Sequence, residues 1–279
     1  MTFQAAWPVV TAAEVPPAEI PGHAFRILAD GGRTGGAYSL TEATSPRGAA
    51  VGWHAHDTAV ECFYVTEGRY RLTVSGAGHD LGPGDFSLVP PAAPHGFEVL
   101  EGDARALVLF APAGFEAVFR RMPEIFGTPG EPGPIFEAAN RAAATRLLDR
   151  CGPGPAALVR PAGGPVGGPV GGPVGGPVGG TGGGPAETVL AGAADTRTRL
   201  RVVLRRDAAA GDGWRFDPST TTVVAVGGGY RIDLPGRSGT LRPGQLLASR
   251  TGPGENATAH ALEAGSRALL LHVDPGGEP

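Results

Sequence analysis

The stretch Gly52-Trp-His-Ala-His-Asp-Thr-Ala-Val-Glu-Cys-Phe-Tyr-Val-Thr-Glu-Gly68 decides how this chain is read. It places His54 and His56 one residue apart and Glu61 five residues after the second histidine. Alternate residues of a β-strand point to the same face, so both imidazoles project into one space, and Glu61, opening the following strand, can face them. Further on, Gly84-Asp-Phe-Ser-Leu-Val-Pro90 leads through Pro-Ala-Ala-Pro to His95, on a strand that can return to the same space. Three neutral imidazoles and one carboxylate suit a divalent transition metal: Fe(II) ahead of Mn, Ni, Cu or Zn. Four protein ligands leave an octahedral ion two open positions. Three imidazoles converging without a metal would be left largely unsatisfied.

Around this stretch, residues 24–112 alternate short apolar runs with turn signals at the spacing of an all-β sandwich or barrel. The expected strands are Phe25–Leu28, Ala37–Glu42, Ala50–His56, Glu61–Val65, Arg69–Val74, Phe86–Val89, His95–Leu100 and Ala104–Phe110, with Thr66-Glu67-Gly68 as one of the turns. Residues 114–122 carry Phe115, Val118, Phe119 and Met122 at helical spacing. A second helix is expected over Ile135–Arg150, after Pro134 and before Gly152-Pro153. Residues 163–178 are four copies of Gly-Gly-Pro-Val, too poor in apolar surface to order, so residues 152–187 read as a flexible linker.

Short β runs resume from Thr188 to Val273, and they repeat the first half. Gly68-Arg-Tyr-Arg-Leu72 recurs as Gly228-Gly-Tyr-Arg-Ile232, Leu81-Gly-Pro-Gly84 as Leu241-Arg-Pro-Gly244, and Arg105-Ala-Leu-Val-Leu109 as Arg267-Ala-Leu-Leu-Leu271. The expected organisation is an N-terminal arm (1–23), a metal-binding β domain (24–112), a helical extension (113–151), the linker (152–187) and a degenerate second β domain (188–279). In that second domain Trp214, Phe216 and Thr221, or in another register Arg215 and Asp217, replace the ligands, and the place of His95 falls near Glu255. No ligand set results.

Composition excludes several function classes. All 23 basic residues are arginine, so Schiff-base chemistry on lysine and a P-loop lysine are ruled out. The net charge of −4 comes without a basic stripe, so neither nucleic acid nor an anionic membrane is an expected partner. Cys62 and Cys151 form no disulfide framework. The opening residues lack the pattern of a signal peptide, and no run of 18 apolar residues occurs, so a soluble, cytoplasmic protein is expected. Phe63 and Phe97 share facing with Glu61 and His95 and are candidates to line an apolar substrate pocket. Tyr38, on an earlier strand, is a candidate hydrogen-bonding partner for the substrate, and core filling is an equal reading for all three. Cys62 alternates away from Glu61 and reads as core.

With these residues in view, the chain resembles the cupin superfamily. That family's first motif runs glycine, His-X-His, glutamate, glycine, and Gly48, His54, His56, Glu61 and Gly68 keep every spacing. Its second motif is met by Gly84, Pro90 and His95, with Ala92 in place of a glycine and Val99 in place of an asparagine. The resemblance implies two jelly-roll β-barrels, matching the all-β pattern. Within the cupins the first domain looks like the quercetin 2,3-dioxygenase branch, on HxH-x4-E, the run Glu61-Cys-Phe-Tyr-Val-Thr-Glu-Gly68, His95-Gly-Phe97 and Pro112-Ala-Gly-Phe-Glu116. That likeness implies a metal held by His54, His56, Glu61 and His95, an enolic or phenolic aromatic substrate, dioxygen as second substrate, and Glu61 as the catalytic proton acceptor. Two other readings stay open: a metal-dependent isomerase, epimerase or lyase that uses no oxygen, and a non-catalytic small-molecule-binding cupin. Oligomeric state is open as well, a homodimer through barrel edges being one arrangement the resemblance allows.

Overall fold

The structure, a computed structural model, describes residues 9–127, 133–162, 186–247 and 256–274. The Gly-Gly-Pro-Val repeats and Glu255 lie outside the described residues. The chain divides into two compact units, one built on residues 15–162 and the other on residues 9–14, 186–194 and 199–274. Among the described residues no helix is long and apolar enough to cross a membrane.

In the first unit two long antiparallel strands, Val60–Val74 and His95–Ala111, form the spine. Sequence composition splits each of them in two, yet both run through. Register irregularities between Val65 and Tyr70 bend the ladder without ending it, and Thr66-Glu67-Gly68 is a bulge rather than a turn. Gly68 is needed there: its φ is +69°, and a Cβ would sit 2.7 Å from the Ala104 Cα. Beyond the bend each strand changes partner. Glu61–Tyr64 pairs with Phe86–Val89, while Tyr70–Val74 pairs with Ala77–Leu81. Likewise Ala104–Phe110 pairs with Ser39–Ser45, while the start of the same strand pairs with Ala50–His56. Strands shared between two sheets in this way are how a sandwich closes its corners. The space enclosed is an apolar core containing Phe25, Phe63, Leu72, Val108 and Phe119.

Two helices follow, Glu116–Gly127 and Gly133–Ala142. The first buries Val118, Phe119, Met122 and Ile125 against the sheet. The second ends eight residues short of the Arg150 expected from sequence. Ala144 adopts φ +51°, and Thr145–Leu147 becomes a strand paired with His54–His56. Helix propensity loses here to the hydrogen bonds of an open sheet edge. Within the range assigned to the linker, Leu158–Arg160 also forms a strand, set against Phe86–Leu88.

Among its described residues the second unit has a six-stranded and a four-stranded antiparallel sheet. Its core contains Phe216, Tyr230, Ile232, Leu241 and Leu270. Val9–Thr11, expected within an N-terminal arm, completes one edge by pairing with Gln245–Leu247. Two β-branched valines there satisfy a sheet edge that would otherwise be open.

Candidate metal centre

The strand Ala50–His56 is exposed at its start and buried at its end, so His54 and His56 enter the interior at 8% and 3% exposure. His54 stands opposite His95, the first residue of its own long strand. Glu61 is set between Val89 and Phe110 on the neighbouring strands. One donor atom from each of these four side chains lies within 4.8 Å of all the others, and all four residues are buried.

Hydrogen bonds fix the rings. Nδ1 of His54 donates to the Gly52 carbonyl at 2.9 Å, and Nδ1 of His95 donates to the Ala93 carbonyl at 2.8 Å. Nδ1 of His56 lies 2.8 Å from the Thr145 hydroxyl, which itself donates to the Ala143 carbonyl at 3.3 Å and so accepts from the ring. Each neutral imidazole therefore carries its lone pair on Nε2. Nε2 of His56 and of His95 stand 3.2 and 2.8 Å from the same carboxylate oxygen, Oε2 of Glu61. Lone pairs facing an anionic oxygen in a buried site repel, and a cation placed among them turns each into a ligand. Histidines tied down at Nδ1 so that Nε2 faces inward are characteristic of metal sites.

The electrostatics agree with that fit. Burial, then the neighbouring histidines, pushes His54 down to about 3, so its ring is neutral at pH 7 against the opposing pull of Glu61. Burial resists ionisation of Glu61, and a proton on Nε2 of His56 or His95 holds it well below the usual carboxylate range; with the rings neutral, a cation between them takes that part. Burial drives the Cys62 thiol far up, which removes it as a nucleophile.

His54 and Glu61 open onto a cavity of about 430 Å³. Phe63 and Phe97 line it, as do Phe25, Phe115, Phe119 and Phe136. Its mouth carries Val51, Phe126 and Leu147, apolar side chains 37 to 42% exposed. Among the described residues no arginine lines it. Tyr38 is buried at 2% exposure, just ahead of the strand Ser39–Ser45 rather than on it, and is not part of the lining; that strand presents Ala43 to the cavity instead. Sequence reasoning missed Thr145, hidden inside an expected helix, and three polar lining residues, His23, Tyr70 and Asn140. The repeated Gly-X-Tyr-Arg run carries Tyr70 in plain view, but its facing depends on the bend at Gly68.

Comparison with known proteins gives the family of the first barrel. Residues 41–112 match the cupin domain model. Quercetin 2,3-dioxygenase of Bacillus subtilis is 31% identical over 111 residues, 40% of this chain and 32% of that protein, so the match spans about a third of the relative's length. Solved structures resemble nearly the whole chain, two of them as follows. The cupin barrel protein from Leptotrichia buccalis is 8% identical, with a TM-score of 0.56, over 95% of this chain and 96% of its own. A variant of Bacillus subtilis oxalate decarboxylase is 15% identical, with a TM-score of 0.57, over 95% of this chain and 77% of its own. Residues 41–112 are thus a cupin domain, and the chain as a whole has the bicupin fold of two jelly-roll barrels.

Proposed function

We propose that this protein is a metal-dependent dioxygenase acting on an enolic or phenolic aromatic small molecule, with His54, His56, Glu61 and His95 holding one divalent ion. The observation that carries this reading is the cavity: Glu61, one oxygen of which stands 3.2 and 2.8 Å from Nε2 of His56 and His95, also faces a space walled by phenylalanines and, among the described residues, without an arginine. An apolar slot favours a flat, uncharged ring system. A small dicarboxylate would find no cationic side chain among the described lining residues. The similarity to quercetin 2,3-dioxygenase supports the same choice.

When bound, the ion acts as a Lewis acid that lowers the pKa of the substrate's enol or phenol. The residues of the chain do the rest. Thr145 and the Gly52 and Ala93 carbonyls fix the imidazole planes. Glu61, ionised in its buried setting, is placed to take the proton as the substrate O–H bond breaks. Phe63, Phe97 and Phe115 hold the ring and exclude water. Both atoms of dioxygen enter the product, so no external reductant is required.

Oxygen uptake by the metal-loaded protein, followed with a panel of flavonols and catechols, tests the proposal. Substrate-dependent consumption that is lost in Glu61→Gln is expected. Conversion without oxygen consumption would overturn it in favour of an isomerase or lyase, and binding without conversion in favour of a carrier.

A further inference from the structure

The cavity has a direction that the ligand set alone does not reveal. Along the strand His95–Ala111, Phe110 stands opposite Glu61, Val108 opposite Phe63, and Ala106 opposite both Ala43 and Val65. Ala104 then stands opposite Ser45, whose hydroxyl is hydrogen-bonded to His23 Nδ1 at 2.9 Å. From Phe110 to Ala104 is six residues, about 20 Å of extended strand. Glu61, Phe63, Val108, Ala106, Ala43 and His23 all line the one cavity. It is therefore a slot, with Glu61 and His54 at one end, small and apolar side chains along its floor, and His23 at the other.

The far end is polar. His23 is half-buried and stacked on Phe25, with ring centroids 6.0 Å apart and planes 5° from parallel. Phe25 in turn stacks on Phe119, fixing the plane of the imidazole. With Nδ1 engaged by Ser45, Nε2 is the ring's remaining hydrogen-bonding atom, and among the described residues it has no partner. Tyr70 lines the same cavity at 3% exposure, close to the bend, and its hydroxyl is buried with no hydrogen-bond partner among the described residues. A buried, unpartnered hydroxyl is costly, and a substrate group reaching it would supply the missing partner. In the second unit the residue equivalent to Tyr70 is Tyr230, and there the hydroxyl is satisfied by Asp207 Oδ2 at 2.8 Å. The two copies of one motif differ in whether the tyrosine has been given an internal partner.

We propose that His23 is a substrate-binding residue: it hydrogen-bonds a hydroxyl or carbonyl at the end of the substrate remote from the metal, with Ser45 as its positioning residue and Tyr70 beside it. This rests on the aromatic-substrate reading above and narrows it. The substrate is an elongated, uncharged molecule of two or three rings, with an enol or phenol at one end and a second polar group at the other. A single-ring catechol would reach only one end of the slot.

Binding of two flavonols to the metal-loaded protein under anaerobic conditions tests this. Galangin and kaempferol differ by one hydroxyl on the pendant ring. Wild type is expected to bind kaempferol more tightly by roughly fivefold, the worth of one hydrogen bond. In His23→Phe that preference disappears while galangin binds as before; His23→Gln, which keeps a hydrogen-bonding group, retains part of it. Metal content of both variants, unchanged from wild type, shows that they fold. Equal binding of the two flavonols by wild type, or a preference that survives in His23→Phe, would overturn the role of His23 and leave the dioxygenase proposal standing. Failure of wild type to bind either flavonol would overturn both.

Discussion

Ala92 occupies a position where the cupin second motif carries glycine, and its backbone shows why glycine is usual: φ is +63°, in the left-handed region. The turn is held by the Ala92 N–H donating to the His56 carbonyl at 2.7 Å, so the strain is borne next to a ligand. Ala92→Gly relieves the clash of Cβ with the backbone, offset in part by the greater freedom of glycine in the unfolded chain. A net stabilisation of roughly 0.5–1 kcal/mol is expected, read as a higher midpoint in denaturant. His54 supplies a second prediction at this scale. Its folded pKa is depressed from 6.5 to about 3, chiefly by burial. Acid therefore protonates the unfolded chain first, so the stability this residue contributes is whole above about pH 6.5 and is lost as pH falls toward 3. In the presence of a chelator, unfolding midpoints at about pH 7.5 and about pH 4.5 check the sign, and greater stability at the lower pH would contradict it.

Among the elements, the strand Thr145–Leu147 matters most to the site, and it was the least legible. Its sequence continues a helical run, and only the pairing of Thr145 with His56 and Leu147 with His54 shows why it is extended. Ala50–His56 and Phe86–Val89 were readable to the residue, because alternation and flanking turn residues agree there. The two long strands were not, since a bulge keeps the ladder through residues whose composition signals a turn. That His54, His56, Glu61 and His95 come together was legible for another reason: their spacing is a property of the motif and survives errors in strand boundaries. Residues that support or extend the site, Thr145, His23 and Tyr70, are reached only through register and bending, which sequence spacing does not encode. For Thr145 the consequence can be measured. Thr145→Val keeps shape and strand propensity but removes the acceptor for His56 Nδ1–H, and metal affinity is expected to fall by about 10–100-fold. Unchanged affinity in a competition titration would show that the ring is oriented by other contacts.

At the scale of the whole molecule, one fold has been used twice to different ends. The register of Ser39–Ser45 places Ala43 opposite Ala106, and that of Leu200–Arg206 places Arg205 opposite Ala268. By the internal repeat these are equivalent positions, so an alanine on the cavity wall of one barrel is an arginine in the other. Arg205 is 6% exposed at its side chain, paired with Asp207 and Glu187 at 2.8 and 2.9 Å, and its guanidinium stands 5.1 Å from the centre of the Trp214 ring. With Tyr230 bonded to Asp207, this network takes up polar groups in the second barrel where the first keeps open space. Arg205→Ala would leave the fully buried Asp207 carboxylate without its cationic partner, only the Tyr230 hydroxyl remaining. A loss of about 3–5 kcal/mol is expected for that unit, with metal content per chain unchanged; a smaller cost would mean that water enters readily. The central claim of the account concerns the other barrel, and the measurement that tests it most directly is elemental analysis of the purified protein beside His56→Ala. Close to one transition-metal ion per chain, lost in the variant, is the result it predicts. An absence of metal from wild type after loading with Fe, Mn, Ni, Cu and Zn in turn, or full retention by the variant, would contradict it.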